Sequence, residues 1–296
     1  MSHDLAPAPE GVREAREVSG GARGVPEGSG GHLPGLWAAT AARARVELLS
    51  VFRNRQALVF TMLLPVLLLV VLASIFTGDV AGTSVPFRQV FIAGVVAAGV
   101  MSVAFSGLAI NLALERDSGL VRRLAATPMR RAAYFGGKVA KVVVTTLLET
   151  AVLIVLGALL FRLPLGLSAQ RWFTLAWVLV LGSAACALLA IAYSWLIPNG
   201  RTAAAMVTPP FLVLQFISGV FFPYSQLPLW MRTLAAFFPL KWMAQGVRSV
   251  FLPGSFTAVE PAGSWEHGRT ALVLALWCAA GLVLSLLTFR WRDQPQ

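Results

Sequence analysis

The chain has 296 residues, 57% of them hydrophobic and 12% charged, with a formal net charge of +11. A soluble domain carries about twice that charged fraction, and here the apolar residues fall in runs of about twenty, enough to cross a ~30 Å hydrocarbon layer as helix. These features exclude a soluble globular domain, and continuous runs rather than ~10-residue alternating strands exclude an outer-membrane barrel. The expected class is an all-α integral membrane protein. The basic excess does not point to nucleic acid, because the basic residues cluster beside the apolar runs, as topology signals do.

Residues 1–35 hold eight glycines, four prolines and a net acidic charge, with almost no apolar periodicity. They read as a disordered cytoplasmic tail. The tail lacks the apolar core and cleavage site of a signal peptide, so insertion is expected through the first span. Residues 36–56 read as an amphipathic interfacial helix. Thr40, Arg43, Glu47, Ser50 and Asn54 form one polar stripe, and Trp37, Ala41, Ala44, Leu48 and Val51 form the opposite one. Arg45, Arg53 and Arg55 suit anionic headgroups.

A transmembrane domain is expected over 57–292, with spans at about 57–77, 89–113, 139–161, 172–196, 203–222 and 270–289. Pro65 should kink the first. The second is rich in Gly, Ala and Ser, which let helices approach closely in lipid. Between the second and third lies a charged, helix-length loop, ERDSGLVRRLAATPM at 115–129. It should form one helix of about three to four turns, with Leu120, Val121, Leu124 and Ala125 as an apolar face, ended by Pro128. Such a helix can dock in a partner's groove, or the loop can merely supply topological charge. Segment 223–269 is too apolar for an ordinary loop, and its two ~10–12-residue pieces, broken at Pro239, are too short to span. They form either a broken re-entrant hairpin or two amphipathic helices on the outer surface.

Six spans put both termini on one side. Outside the tail, that side holds fourteen basic residues against seven on the other. Both termini are therefore expected in the cytoplasm.

Little in the spans can do chemistry. Cys186 and Cys278 each lie in an expected span, and His3, His32 and His267 have no chelating spacing. Gly136-Gly137-Lys138 lacks the spacing of a phosphate loop, and no acid–base cluster appears. Glu149 stands near the middle of the third span, where a charged acid costs roughly 2.5–3.5 kcal/mol. It marks either a substrate pathway or a neutral, structural hydrogen bond between helices. Pro209 and Pro210 in the fifth span, with Gln215 a turn and a half later, supply either a gate hinge or a static kink. An intramembrane enzyme would need a catalytic cluster, and a plain membrane anchor would not need proline-broken spans.

The chain resembles the membrane subunit of type-2 ABC exporters over about residues 36–292. The resemblance is carried by FRNRQALVFTMLLPVLLLVVLASIF at 52–76, ERDSGLVRRLAATPMRRAAYFGGKV at 115–139 and ISGVFFPYSQLPLWMRTLAAFFPLKWMAQGVRSVF at 217–251, in a six-span plan. Asp117 stands where the family usually has Glu, and Leu120 where it has Thr. The size and plan look most like the daunorubicin-type drug-resistance permeases, and related permeases export O-antigen or teichoic-acid glycans. The resemblance implies a drug-efflux or lipid-exporting permease in the bacterial cytoplasmic membrane. It would pair with a second permease copy, identical or paralogous, and with cytoplasmic ATPase subunits that bind ATP and Mg; this chain would bind no cofactor itself. It implies that Glu115, Asp117, Leu120, Arg122, Arg123 and Leu124 couple to the ATPase. Glu149, Pro209, Pro210 and Gln215, singled out above by their own chemistry, are then the candidates for the substrate pathway or gate.

Overall fold

The computed structural model describes residues 35–76, 78–126 and 131–288; the tail, Pro128 and the extreme C-terminus lie outside them. Among the described residues every regular element is helical, and the sole extended pairing is a bridge between Asp79 and Pro86. The elements are α1 (Leu36–Arg53), α2 (Arg55–Ile75), α3 (Phe87–Met101), α4 (Leu108–Asp117), α5 (Leu120–Ala125), α6 (Arg131–Phe161), α7 (Ala169–Tyr193), α8 (Gly200–Ile217), α9 (Leu229–Phe237), α10 (Pro239–Phe251) and α11 (His267–Thr288). Among the described residues four helical stretches are long and apolar enough to cross a membrane: Phe87–Asp117, Ala132–Phe161, Ala169–Leu196 and His267–Thr288. The apolar part of α2, Val59–Ile75, is shorter. The protein is thus an all-helical, multi-pass membrane protein.

Helix α3 is the axis of the bundle. Every residue from Val90 to Met101 is buried, because Gly94, Ala97, Ala98 and Gly99 leave room for neighbours on several sides at once. A Cβ built on Gly94 would stand 2.2 Å from the Val220 carbonyl oxygen, so only glycine admits that backbone. A π-helical segment, Ser102–Gly107, joins α3 to α4 in one rod running to Asp117. Glu115, Arg116 and Asp117 therefore end a membrane helix rather than begin a separate one.

The outward faces are apolar, as lipid contact requires. Helix α2 exposes Val59, Phe60, Leu63, Leu64, Leu67 and Val71, and α11 exposes Leu272, Leu276, Leu282 and Leu287. Helix α8 stays helical through Pro209 and Pro210 and ends at Ile217, short of the expected 222. Its start is capped by Asn199, whose side-chain oxygen accepts from the Thr202 N–H at 3.0 Å. At the end of α8, Gly219 takes a positive φ of 74°.

The segment after α8 breaks at Pro239, as its sequence indicates. Its two pieces differ in surroundings. Helix α10 is buried along its whole length and packs on α3, α7 and α11; it does not lie on the surface. Helix α9 exposes Leu229, Trp230, Leu234 and Phe237. Beside them, loop 78–86 and the turns before α11 share a small core of Val80, Val85, Val90, Leu252 and Phe256, with Trp265 stacked on Phe256. This forms one end of the bundle. The ends of α4 and α7 and the starts of α6 and α8 form the other, together with α1 and α5.

Candidate functional site

The charged loop is not one helix. Gly119, at φ 71°, turns the chain after Asp117, and α5 is a separate six-residue helix. A left-handed glycine ends helices readily, which is why the expected continuous coupling helix is divided. The apolar face expected to meet a partner is partly spent inside. Val121 is buried, and Leu124 packs against the core, with Leu120 half-buried. Arg122 and Arg123 are exposed, as are Asp117 and Ser118.

Three side chains tie this loop to the bundle. Asp117 Oδ2 accepts from the Gly200 N–H at 2.5 Å, at the start of α8, where the helix dipole favours a negative charge. The Arg116 guanidinium donates to the Ser194 carbonyl at 3.0 Å and to the Ile197 carbonyl, and lies over the Trp195 ring. Glu115 turns inward: its carboxylate accepts from Lys138 Nζ at 2.5 Å and from the Tyr134 hydroxyl at 3.1 Å. The end of α4, just before the turn into α5, is thereby bonded to α6, to the segment after α7 and to the start of α8.

Lys138 is shared by a second acid. Glu47 of α1 lies 2.8 Å from Lys138, 2.5 Å from Arg43 and 3.3 Å from Lys141. Glu47 and Lys138 are 5% and 1% exposed, so this is a buried network rather than a surface pair. Burial pushes the Glu47 carboxyl up, but Lys138, with Lys141 and Arg43, outweighs it and holds the carboxyl below its ordinary value. Thr40, Arg43 and Glu47 of the polar stripe therefore face α6, whereas Ser50 and Asn54 are exposed, and Val46, Leu49 and Phe52 face outward. Helix α6 offers Lys138 and Lys141 to meet the acid of this stripe. The approach depends on Gly136 and Gly137: a Cβ on either would stand 2.5 Å from Thr40 Cγ2 or Arg43 Cγ. Sequence reasoning treated Lys138 and Lys141 as topology charges and Glu47 as one of a stripe. The readable signal was two glycines followed by lysines at i and i+3, opposite a helix with a single acid.

The residues expected on a substrate pathway do not gather at this end. Glu149 is 1% exposed on α6, against Gly99 of α3, and neither carboxyl oxygen has a hydrogen-bond partner among the described residues. Gln215 is buried, Pro210 half-buried and Pro209 exposed. At the opposite end, unforeseen in the sequence, α10 carries a second buried charge group. Arg248 Nε donates to Glu260 at 2.8 Å, and Lys241 Nζ donates to Gln245 at 2.6 Å while lying 3.4 Å from the centre of the Trp242 ring. Among the described residues no cluster of His, Cys, Asp or Glu has the form of a metal site.

The two ends thus differ in kind. One is a closed knot of charges around aromatic rings. The other presents a turn and a short basic helix in front of the Glu47–Lys138–Glu115 network, with Glu115, Arg116 and Asp117 bonded to three neighbouring elements. Comparison with curated proteins finds no match. Residues 40–252, from α1 through α10, match the family model of the ABC-2 type transporter, and the chain belongs to that family.

Proposed function

We propose that this chain is the permease subunit of an ATP-driven exporter that moves a hydrophobic drug or lipid-like molecule out of a bacterial cell, a role in drug efflux and antibiotic resistance. The ABC-2 family is one of transport subunits that work with an ATPase. In this reading ATP and Mg bind to that separate subunit, and two permease copies, identical or paralogous, form the path. Helices α2 and α8 complete six crossings: with 21 and 18 residues they reach about 31 and 27 Å at ~1.5 Å per residue, against a ~30 Å hydrocarbon layer. Both termini and α5 then face the cytoplasm, and α9–α10 form a hairpin entering from outside.

The observation that carries the reading is the attachment of the turn-and-helix 115–125. The ATPase would press on Arg122, Arg123 and the partly exposed Leu120 and Leu124. Glu115 would pass the motion to α6, and Asp117 to α8. In α8, Pro209 and Pro210 withdraw the N–H donors of the Ala205 and Met206 carbonyls, the second of which accepts from the Tyr193 hydroxyl at 3.0 Å instead, and give a bending point beside Gln215. Glu149 would serve the pathway through its contact with α3. The test is ATPase stimulation in the reconstituted complex. Stimulation by amphiphilic drugs or lipids supports the proposed substrate class, and stimulation by a polyprenyl-linked glycan alone replaces it.

A further inference from the structure

A cavity of about 300 Å³ opens between α1 and α2 on one side and the π-helical segment, α4 and α6 on the other. Its polar lining is Ser50, Asn54, Thr61, Asn111, Lys138 and Lys141, with Thr145. Glu47 and Glu115, which pair with the two lysines, are not in the wall; the cavity meets ammonium, amide and hydroxyl groups but no carboxylate. Lys138 already gives to both acids, whereas Lys141 makes one ion pair among the described residues, at 3.3 Å, and its side chain is a quarter exposed. An ammonium has three protons to donate, so Lys141 keeps donors for a ligand. The knot as a whole, with Arg43, Lys138 and Lys141 against Glu47 and Glu115, retains one positive charge.

Two further observations point to a ligand. Val103 and Gly107 of the π-helical segment form part of the wall, and π-helical insertions occur frequently at functional sites. Asn111 presents an exposed amide on a rod otherwise apolar enough to cross a membrane, and its side chain makes no hydrogen bond among the described residues. In hydrocarbon such a group calls for a partner. Directly beside Thr61, α2 exposes Phe60, Leu63, Leu64 and Leu67 to the lipid phase.

We propose that this cavity binds the anionic headgroup of a membrane amphiphile, with Lys141 and Asn111 contacting the oxyanion and the acyl chain lying along the outer face of α2. The site requires only that the chain sits in a membrane, so failure of the export reading leaves its test intact.

The purified full-length chain is incubated with phosphatidylglycerol, phosphatidylcholine or inorganic phosphate, and retained ligand is counted by native mass spectrometry. The proposal expects retention of phosphatidylglycerol over phosphatidylcholine, reduced about tenfold by Lys141→Gln and by Asn111→Leu, the scale of one charge-assisted hydrogen bond. Arg269→Gln, which removes an exposed charge at the far end, should change nothing. If Lys141→Gln does not fold, Asn111→Leu decides alone, since it leaves the ion network intact. Equal retention of the two lipids, or undiminished phosphatidylglycerol on the folded variants, overturns the proposal. Inorganic phosphate held as tightly as phosphatidylglycerol overturns the amphiphile in favour of a free anion.

Discussion

Replacing Glu47 by Gln removes the one carboxylate that faces Arg43, Lys138 and Lys141 together. The isostere keeps the volume and most of the packing, so the loss is electrostatic. Surface pairs contribute about 0–1 kcal/mol, but breaking a buried pair by removing one partner costs about 3–5 kcal/mol, because a cation is left without compensation. Glu115 still faces Lys138 at 2.5 Å, so the lower part of that range is expected, about 3 kcal/mol. For a chain of this size that lowers the apparent Tm by roughly 6–12 °C. Thermal unfolding in detergent gives the stability, and limited proteolysis within α1 locates the loss. The double variant Glu47→Gln with Lys138→Gln should recover part of the single-variant loss, with a coupling above about 1 kcal/mol. A Glu47→Gln shift within about 0.5 kcal/mol of zero, the size of an ordinary surface change, would refute the buried-network account of the α1–α6 contact.

The same group sets a pH dependence. The folded pKa of Glu47 lies below its unfolded value, so its contribution is fully present above the unfolded pKa of about 4.3. It is lost as pH falls through the folded value; wild type and Glu47→Gln should differ in Tm at pH 7 and converge in stronger acid. Gly94→Ala should destabilise by about 1–3 kcal/mol, the usual cost of overpacking, because the Val220 backbone has no side chain to move aside; wild-type stability would refute that close contact. Glu149→Leu should fold at least as stably as wild type, since two unpartnered carboxyl oxygens are removed, yet lose transport; unchanged transport in reconstituted vesicles would remove Glu149 from the pathway. Single cysteines at Ser118 and Ser225, with Cys186 and Cys278 replaced, should react with an impermeant thiol reagent from opposite sides, and labelling from one side would reject six crossings.

The helical, multi-pass character was legible because hydrocarbon allows few alternatives: a run of apolar residues without charge has to be helix. The break at Pro239 was equally legible, as proline ends helices by local sterics. What the sequence obscured was which faces meet. The stripe of Thr40, Arg43 and Glu47 has the same periodicity whether it faces water or a lysine, and only α6, about ninety residues later, decides. Gly119 was visible, but its left-handed conformation was not, so 115–129 read as one helix. The length of α10 marked it as too short to cross, yet its total burial depends on glycines and small residues of α3 and α7 that no local pattern links to it. At the end that carries α5, Arg122 and Arg123 were legible as charges of the loop. The inward turn of Glu115 required Tyr134 and Lys138, which fold back from the next helix.

The most direct test of the central claim is recovery of a co-expressed ABC-type ATPase subunit by tagged, membrane-inserted variants. If segment 115–125 receives the ATPase, Arg122→Glu with Arg123→Glu, and separately Leu124→Asp, should insert normally and lose most of the recovered ATPase. Two salt-bridging charges and one apolar anchor at an interface are worth about 2–4 kcal/mol. Arg269→Gln, at the opposite end, should recover it in full. Undiminished recovery with both coupling variants would contradict the assignment of this end as the ATPase-docking surface.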